Sequence, residues 1–338
     1  MAKRKRTKKK KSSNKILSYI VWILALIALG LTTLLVGYYL GYNSATESKI
    51  KKDLKKKEQH AKIPVPVQTK TEIKVKKESV EKRLERVLKK ESKNYNSAAH
   101  EIENESLVHP PKIKLPQKPL KLAKKPRLAI IIDDVQTASQ VRAIKSLNML
   151  LTMSFLPPRP GRPNSAKIAA KEKFYMVHVP MEAMHFNKEE PTTLHVNDSQ
   201  DVILKRIHTI KQLFPKVTYI NNHTGSKFTS DEKAMQKLIY ALQKNHIAFI
   251  DSRTTAKTKA PMVEKSYGLK YIARDVFLDH HMDKPYILKQ IKEAVRIAKA
   301  HGEAIAIGHP HKNTLEALYE SKKMLAKEVD LVLINKIQ

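Results

Sequence analysis

A short apolar run that ends in two acids decides the fold. Residues 128–134 read LAIIIDD, five apolar side chains followed by Asp133 and Asp134. A run of this length, rich in Ile and bounded by polar residues, is typical of a buried β-strand. A polar stretch with helical spacing follows from Thr137 to Asn148. The two patterns together predict a strand and a helix that packs on its sheet.

The same alternation continues to the C-terminus. Further runs rich in Val, Ile, Phe and Tyr predict strands, with helical patterns between most of them. These predicted strands cover residues 150–157, 174–180, 217–220, 246–251, 269–273, 303–309 and 330–334. Such alternation predicts one α/β domain with a largely parallel sheet over residues 127–338. A domain of about 210 residues is large enough to bury a proper core.

Several helix boundaries can also be predicted. Thr229 and Glu232 match a capping box at the start of a helix. Pro285 lies near the start of another helical pattern, and Gly302 fits the C-terminal cap of that helix. A last helix is expected after Thr314.

The N-terminal part predicts a membrane anchor. Residues 1–15 carry nine Lys or Arg and no acid, and residues 16–42 carry no charge at all. An apolar segment of that length crosses about 30 Å of hydrocarbon. The positive-inside rule then predicts a cytoplasmic basic tail, a single-pass anchor in the cytoplasmic (inner) membrane and a periplasmic or extracytoplasmic C-terminal domain. The alternative is a cleaved signal peptide, although no clean A-x-A site follows.

Residues 43–126 predict a stalk between the anchor and the domain. They are rich in Lys and Glu, and residues 79–90 have the apolar spacing of a short amphipathic helix. Five prolines over 110–126 favour an extended linker. A solvated stalk is the simpler interpretation, and an arm that binds a protein partner or an anionic polymer is the alternative.

Composition excludes several classes of protein. The 338 residues include 65 Lys plus Arg and 32 Asp plus Glu, a formal charge of +33. A charge of this size raises nucleic acid as a partner, but the excess is densest in the tail and stalk, and no nucleic-acid-binding signature is present. We therefore predict no nucleic-acid partner.

Cysteine is absent, so disulfides and thiol nucleophiles are excluded. Neither GxGxxG nor a P-loop motif occurs.

Acids and imidazoles follow the predicted strands at corresponding ends. In parallel α/β folds the carboxyl ends of the strands carry the ligand sites. The residues found there include Asp133, Asp134, His178, Glu182, Asn222, His223, Ser226, Asp251, Arg253 and His309. Histidine and carboxylate ligands hold divalent metals, and a metal with an open position activates water. The set therefore predicts metal-assisted hydrolysis, with a carboxylate as base and a histidine as acid.

At these blocks the sequence resembles a known family. The segments IIDD, HVPME, NNHTGS, IDSRT and AIGHPH are similar to those of the divergent polysaccharide deacetylases, and the similarity covers about residues 127–336. The resemblance implies a distorted (β/α) barrel. It also implies removal of N- or O-acetyl groups from an envelope glycan such as peptidoglycan, with a divalent metal, zinc by its ligand type, as cofactor.

The resemblance also implies roles for individual residues. Asp133 corresponds to the base, Asp134 to a metal ligand and His309 to the general acid. Asp251 lies near the place of an acid that tunes that histidine. The HxxxH pair of mainstream deacetylases is absent, so His178 and His223 are the expected metal-binding imidazoles. The expected substrate-binding residues are Glu182, Asn222, Ser226 and Arg253.

Two departures leave a second hypothesis open. The HxxxH pair is missing, and Val135 and Gln136 follow the acids where a glycine is usual in the family. The alternative is a catalytically inactive protein that keeps the fold and binds a glycan or an envelope protein. His280, His281 and His311 are predicted to be surface or loop residues, because adjacent His side chains on a strand point to opposite faces.

Overall fold

The computed structural model describes residues 125–186 and 188–337, together with Trp22, Leu24 and Thr32. The predicted basic tail, membrane span and stalk otherwise lie outside the described residues. Within the described part of the chain, no helix has both the length and the apolar character needed to cross a membrane.

Eight parallel strands and eight α-helices form the domain. The strands are β1 (Arg127–Val135), β2 (Thr152–Phe155), β3 (Met176–Met181), β4 (Tyr219–Thr224), β5 (Ala248–Ile250), β6 (Val276–Phe277), β7 (Glu303–Gly308) and β8 (Asp330–Val332). The helices are α1 (Ala138–Ser146), α2 (Ser165–Ala169), α3 (Gln200–Leu213), α4 (Ser226–Ser230), α5 (Glu232–Lys244), α6 (Ala260–Ser266), α7 (Lys284–His301) and α8 (Lys312–Glu328). A 3₁₀ turn, Ile334–Lys336, follows β8.

The strands form one sheet in the order β5-β4-β3-β2-β1-β7-β6, and β8 pairs with the first residues of β1. The predicted parallel α/β architecture is therefore confirmed. The sheet curls into a half-barrel, with β5 and β6 at its two edges. A single bridge, Asp251 to Ala273, joins the chain after β5 to the segment before β6. The predicted distorted barrel is thus incomplete on this side.

The two faces of the sheet have different cores. Successive side chains of a strand point to opposite faces. On β1, Leu128, Ile130 and Ile132 belong to the larger core that includes the helices. Ala129 and Ile131 belong to a smaller cluster on the concave face, together with Met176, Ile250, Phe277, Ile305 and Ile307. Because of this alternation, the side chain of every second strand residue lies on the concave face.

One predicted strand is wrong. Residues 269–273 form no strand, and the sixth strand is Val276–Phe277. The backbone of Asp251 bonds to Ile272 and Arg274, so this segment crosses the gap beside β5 with one bridge and no ladder. A strand of two residues is too short to show periodicity in a sequence.

The predicted helix boundaries have mixed outcomes. Gly302 ends α7 with φ 86°, as predicted, because the left-handed conformation suits glycine. The predicted capping box at Thr229 is wrong. The hydroxyl of Thr229, a residue of α4, donates to the carbonyl of Gly225, and Asp231 caps α5 by accepting a hydrogen bond from the amide of Ala234 at 2.8 Å.

Replacing Asp231 with Ala is expected to destabilise the domain by about 1 kcal/mol, the usual cost of losing an N-cap. Urea unfolding of the full-length protein would measure this loss. Asp231→Asn is the matched control, because its side-chain oxygen can still accept the hydrogen bond from Ala234. An equal loss in both variants would show that the cap is not the cause.

Candidate active site

Polar side chains replace the apolar ones where the concave face reaches the carboxyl ends of the strands. Ile131 is followed two residues later by Asp133, Met176 by His178, and Ile307 by His309. Each of these polar side chains is buried. Because β1, β3 and β7 are parallel members of one sheet, the three side chains lie at one edge of the half-barrel.

A β-bulge gives β1 two carboxylates on the same side. Ile132 pairs with Met153, and Val135 pairs with Phe155, so β1 has one more residue than β2 over this interval. Asp134 takes φ 55°, a left-handed conformation that Asp tolerates better than most residues. In a regular strand the two carboxylates would point to opposite faces. Here both reach His178, Asp133 Oδ2 at 3.6 Å from Nδ1 and Asp134 Oδ1 at 3.7 Å from Nε2.

His223 completes a group of three possible metal ligands. Its Nδ1 atom lies 3.2 Å from Oδ1 of Asp134. The rings of His178 and His223 meet edge to face, with centroids 5.0 Å apart. One ligand atom from each of Asp134, His178 and His223 lies within 4.8 Å of the others. The structure therefore brings together the three residues that the sequence predicts as metal ligands.

The spacing and chemistry of this group fit a metal ion. Zinc ligands from His and carboxylate lie at about 2.0–2.2 Å, so two ligands of a tetrahedral ion are roughly 3.4 Å apart. The observed separations of 3.2 and 3.7 Å from Asp134 bracket that value. Two imidazoles and one carboxylate match the three-ligand sets of catalytic zinc sites, which leave the fourth position for water.

Asn221 holds the predicted base in place. Its side-chain amide donates to Oδ2 of Asp133 at 2.8 Å and to Oγ of Ser252 at 3.0 Å. The Ser154 hydroxyl donates to Oδ1 of Asn221 at 2.6 Å, which fixes the orientation of the amide. The sequence analysis predicts the neighbouring Asn222 as a substrate-binding residue and does not predict Asn221. The alternation of side chains along β4 could have identified Asn221, because Asn221 lies two residues before His223 and therefore points to the same face of the sheet.

Asp279 is the acid that contacts His309. The carboxylate accepts hydrogen bonds from the His309 amide at 2.6 Å and the Thr314 hydroxyl at 2.7 Å, and its Oδ1 lies 3.0 Å from His309 Nδ1. Complete burial raises the pKa of Asp279, but His309 and these hydrogen bonds outweigh burial and hold it below its usual value.

Asp251, the acid predicted for that place, makes other contacts. It accepts hydrogen bonds from the Tyr271 and Thr258 hydroxyls and from the Arg253 amide. Sequence reasoning missed Asp279 because it placed the sixth strand too early. Asp279 follows Phe277 by two residues, the spacing that carries the other polar side chains onto the concave face.

The comparisons with known proteins identify the family of the chain. The model of the divergent polysaccharide deacetylase family matches residues 130–337. The chain belongs to the divergent polysaccharide deacetylase family.

Two curated relatives of this chain are uncharacterised. A Haemophilus influenzae protein is 33% identical over 208 residues, which cover 61% of this chain and 74% of the relative. YibQ from Escherichia coli is 34% identical over 211 residues, which cover 61% of this chain and 65% of YibQ. The crystal structure of an uncharacterised protein from Agrobacterium tumefaciens aligns with a TM-score of 0.55 and 20% identity, over 64% of this chain and 90% of the other. The similarity to the Agrobacterium tumefaciens structure supports the α/β fold of the domain.

A second imidazole cluster lies beside Asp279. Ligand atoms of Asp279, His309 and His311 lie within 4.8 Å of one another. His280 and His311 lie in loops, one of the two predicted alternatives, but both are buried, with each residue only 7% exposed. His281 is exposed, as predicted. The burial of His280 has a physical reason. The Phe277 ring packs edge-on against His280 and His309 at this end of the half-barrel.

The residues predicted to bind substrate make mainly structural contacts. Glu182 accepts a hydrogen bond from the Val196 amide at 2.9 Å and pairs with Lys227 at 2.6 Å. Burial raises the pKa of Glu182, but the hydrogen bonds from Lys227 and Val196 outweigh it and lower the pKa overall. Asn222 points to the outer face and bonds to the carbonyl of Thr224.

Ser226 and Arg253 also have defined partners. The Ser226 hydroxyl accepts a hydrogen bond from the Met184 amide at 2.9 Å. Arg253 has φ 52° and lines a cavity of about 510 Å³ beside the gap in the barrel. The fully buried Arg274 donates to the carbonyls of Ser252 and Arg253, which ties the chain after β5 to the start of β6. Contact of Ser226 and Arg253 with substrate stays a prediction.

Proposed function

We propose that this protein is a metal-dependent deacetylase that hydrolyses N- or O-acetyl groups on an envelope glycan. The observation that carries the proposal is the convergence of Asp134, His178 and His223, with Asp133 against His178. A divalent cation held by the three ligands, zinc by their chemistry, would polarise the acetyl carbonyl and lower the pKa of water.

Asp133 is the proposed general base. Its carboxylate is fully buried, and the Asn221 side-chain amide donates a hydrogen bond to Oδ2. A carboxylate that is already held in one orientation can take a proton from the attacking water without losing further conformational entropy. The Ser154–Asn221 hydrogen bond supports the same orientation.

His309 is the proposed general acid. With Nδ1 directed at Asp279, the imidazole presents Nε2 as the atom that gives a proton to the departing amine or alcohol. Asp279 stabilises the charged imidazole, as the buried acid does in other acid–histidine pairs. The backbone amide of His309 also donates to Asp279, so the ring and the main chain are oriented together.

The membrane anchor and the periplasmic location are part of the same proposal. A charge-free segment over residues 16–42, preceded by nine basic residues, supports a single-pass anchor with the domain outside the cytoplasm. An acetylated envelope polysaccharide or peptidoglycan is the substrate available to such a domain. The stalk over residues 43–126 would let the domain reach that polymer and would offer any protein partner a binding segment.

Acetate release from acetylated glycans tests the proposal. The full-length protein, loaded with zinc, is expected to release acetate from N-acetylated chitooligosaccharides or peptidoglycan, and a chelator should stop the release. Asp133→Asn should keep the metal and lose about 10²–10⁴-fold in rate, the usual contribution of a general base.

The outcome against the proposal is equally specific. A protein that holds zinc yet releases no acetate from N- or O-acetylated glycans would favour the inactive, glycan-binding alternative. Equal rates for wild type and Asp133→Asn would remove Asp133 as the base. Asp201→Asn is the matched control, because it makes the same change on the exposed first turn of α3.

A further inference from the structure

A second cavity lies at the opposite end of the sheet from the candidate active site. It has a volume of about 550 Å³, within the usual range of small-molecule sites. Tyr219 and Ala248, the first residues of β4 and β5, form part of its wall. Most of the remaining wall is apolar, contributed by Ile239, Leu242, Ile247, Phe249, Leu269 and Ile272. The active-site residues lie at the carboxyl ends of the strands, so the two concavities are separate.

One buried carboxyl group lines this apolar cavity. Glu264, on α6, is only 2% exposed, and its Oε2 atom makes no hydrogen bond within the described residues. No cation within the described residues forms an ion pair with it. Leaving a buried acid unsatisfied is costly, so such a group usually has a partner or remains neutral. Burial and the nearby Asp251 raise the pKa of Glu264 to about 8.

The other polar groups around Glu264 are already engaged or face solvent. The Tyr271 hydroxyl donates to Asp251 at 2.9 Å. The Lys270 side chain is 64% exposed and lies 3.7 Å from Glu303. His246 is exposed at the cavity rim. The charged group that acts on Glu264 is Asp251, which is negative, so the surroundings of this carboxyl group favour a cation over an anion.

We propose that this cavity binds a small organic cation, a primary ammonium group on an apolar body, with the ammonium paired to Glu264. The apolar walls would bury the body of the ligand. The ammonium would supply the three N–H donors that the carboxylate otherwise lacks. The proposal does not depend on deacetylase activity, because no residue of the candidate active site lines this cavity.

The pairing has a proton balance that can be measured. At pH 7 most Glu264 side chains are protonated in the empty cavity, since the pKa is about 8. Binding of an ammonium ion forms a carboxylate–ammonium pair and releases the carboxyl proton to solvent. We therefore expect close to one proton released per ligand at pH 7, and almost none at pH 9.

Calorimetry of the full-length protein with 2-phenylethylammonium is the test. Titrations at pH 7 in phosphate and in Tris give the number of protons released from the difference in heat. The neutral analogue 2-phenylethanol is expected to bind at least tenfold more weakly. Glu264→Gln should weaken the ammonium ligand at least tenfold and abolish proton release. The exposed Glu320→Gln is the matched control and should change neither.

A second variant keeps the test independent of Glu264. Ala248→Leu enlarges a side chain in the wall and should reduce binding while the carboxyl group remains. The proposal fails if the ammonium ligand does not bind at millimolar concentration, or binds without proton release. It also fails if a folded Glu264→Gln variant binds the ligand as tightly as the wild type.

Discussion

Replacing Asp134 with Asn is expected to lower zinc affinity by more than 100-fold and to reduce acetate release to background. Loss of an outer hydrogen-bonding partner of a metal ligand already costs about 10–100-fold, and Asp134 supplies the only carboxylate of the proposed ligand set. Its Oδ1 atom faces both His223 and His178. Without that charge, two imidazoles remain to hold the cation.

Asn is the informative replacement at this position. Asp134 has φ 55°, and Asn tolerates the left-handed conformation that Ala does not. The variant should therefore unfold at a urea concentration close to that of the wild type, which separates a lost ligand from a lost fold. Zinc content and affinity of the full-length protein are the measurements. Asp330→Asn, an exposed replacement on β8, is the matched control. Wild-type zinc affinity in Asp134→Asn would place the metal elsewhere.

Replacing Asp279 with Ala is expected to destabilise the domain by about 3–5 kcal/mol, the usual cost of removing one partner from a buried pair. The side chain is fully buried and accepts hydrogen bonds from the His309 amide and the Thr314 hydroxyl. Removal leaves these donors without an acceptor and His309 without its orienting group. Acetate release should fall by about 10²–10⁴-fold, the range of a general acid.

The pH dependence of stability gives a second measurement at Asp279. Because its pKa is lowered in the folded protein, the carboxylate contributes stability above the unfolded pKa of about 3.9. That contribution is lost as the pH falls through the folded pKa. The difference in unfolding free energy between wild type and Asp279→Asn should be present at pH 5 and shrink below pH 4. A difference that persists undiminished at low pH would show that the charge of Asp279 does not stabilise the fold.

The sequence predicts the residues of the candidate site better than the loops around it. Asp134, His178 and His223 can be predicted together because each lies at the carboxyl end of a parallel strand. Asp133 and His309 share that property. Long apolar runs such as 128–132 show where those strands are, and the order of the blocks then indicates the family.

The missed residues could not be predicted from apolar runs alone. Asp279 follows a strand of only two residues. Residues 269–273 have a more strand-like sequence, so the sequence pattern predicts the sixth strand there. Asn221 and Asn222 are adjacent and chemically identical, so only the face of β4 distinguishes the one that holds Asp133. His311 is buried by tertiary packing that no local pattern reports. The anchor and stalk stay predictions, since they lie almost entirely outside the described residues.

The bulge in β1 makes the chemistry of this domain depend on the number of residues as well as on their kind. Between Ile132 and Val135 the chain has one residue more than its neighbour β2. Loss of a single codon there would restore an unbroken ladder, with one carboxylate facing the imidazoles and every other ligand still encoded. An inactive binding protein is therefore one in-frame deletion away from the proposed enzyme, along a path that leaves the core intact. A survey of homologous genes for such length changes would separate the two kinds of protein more sharply than a comparison of ligand identities alone.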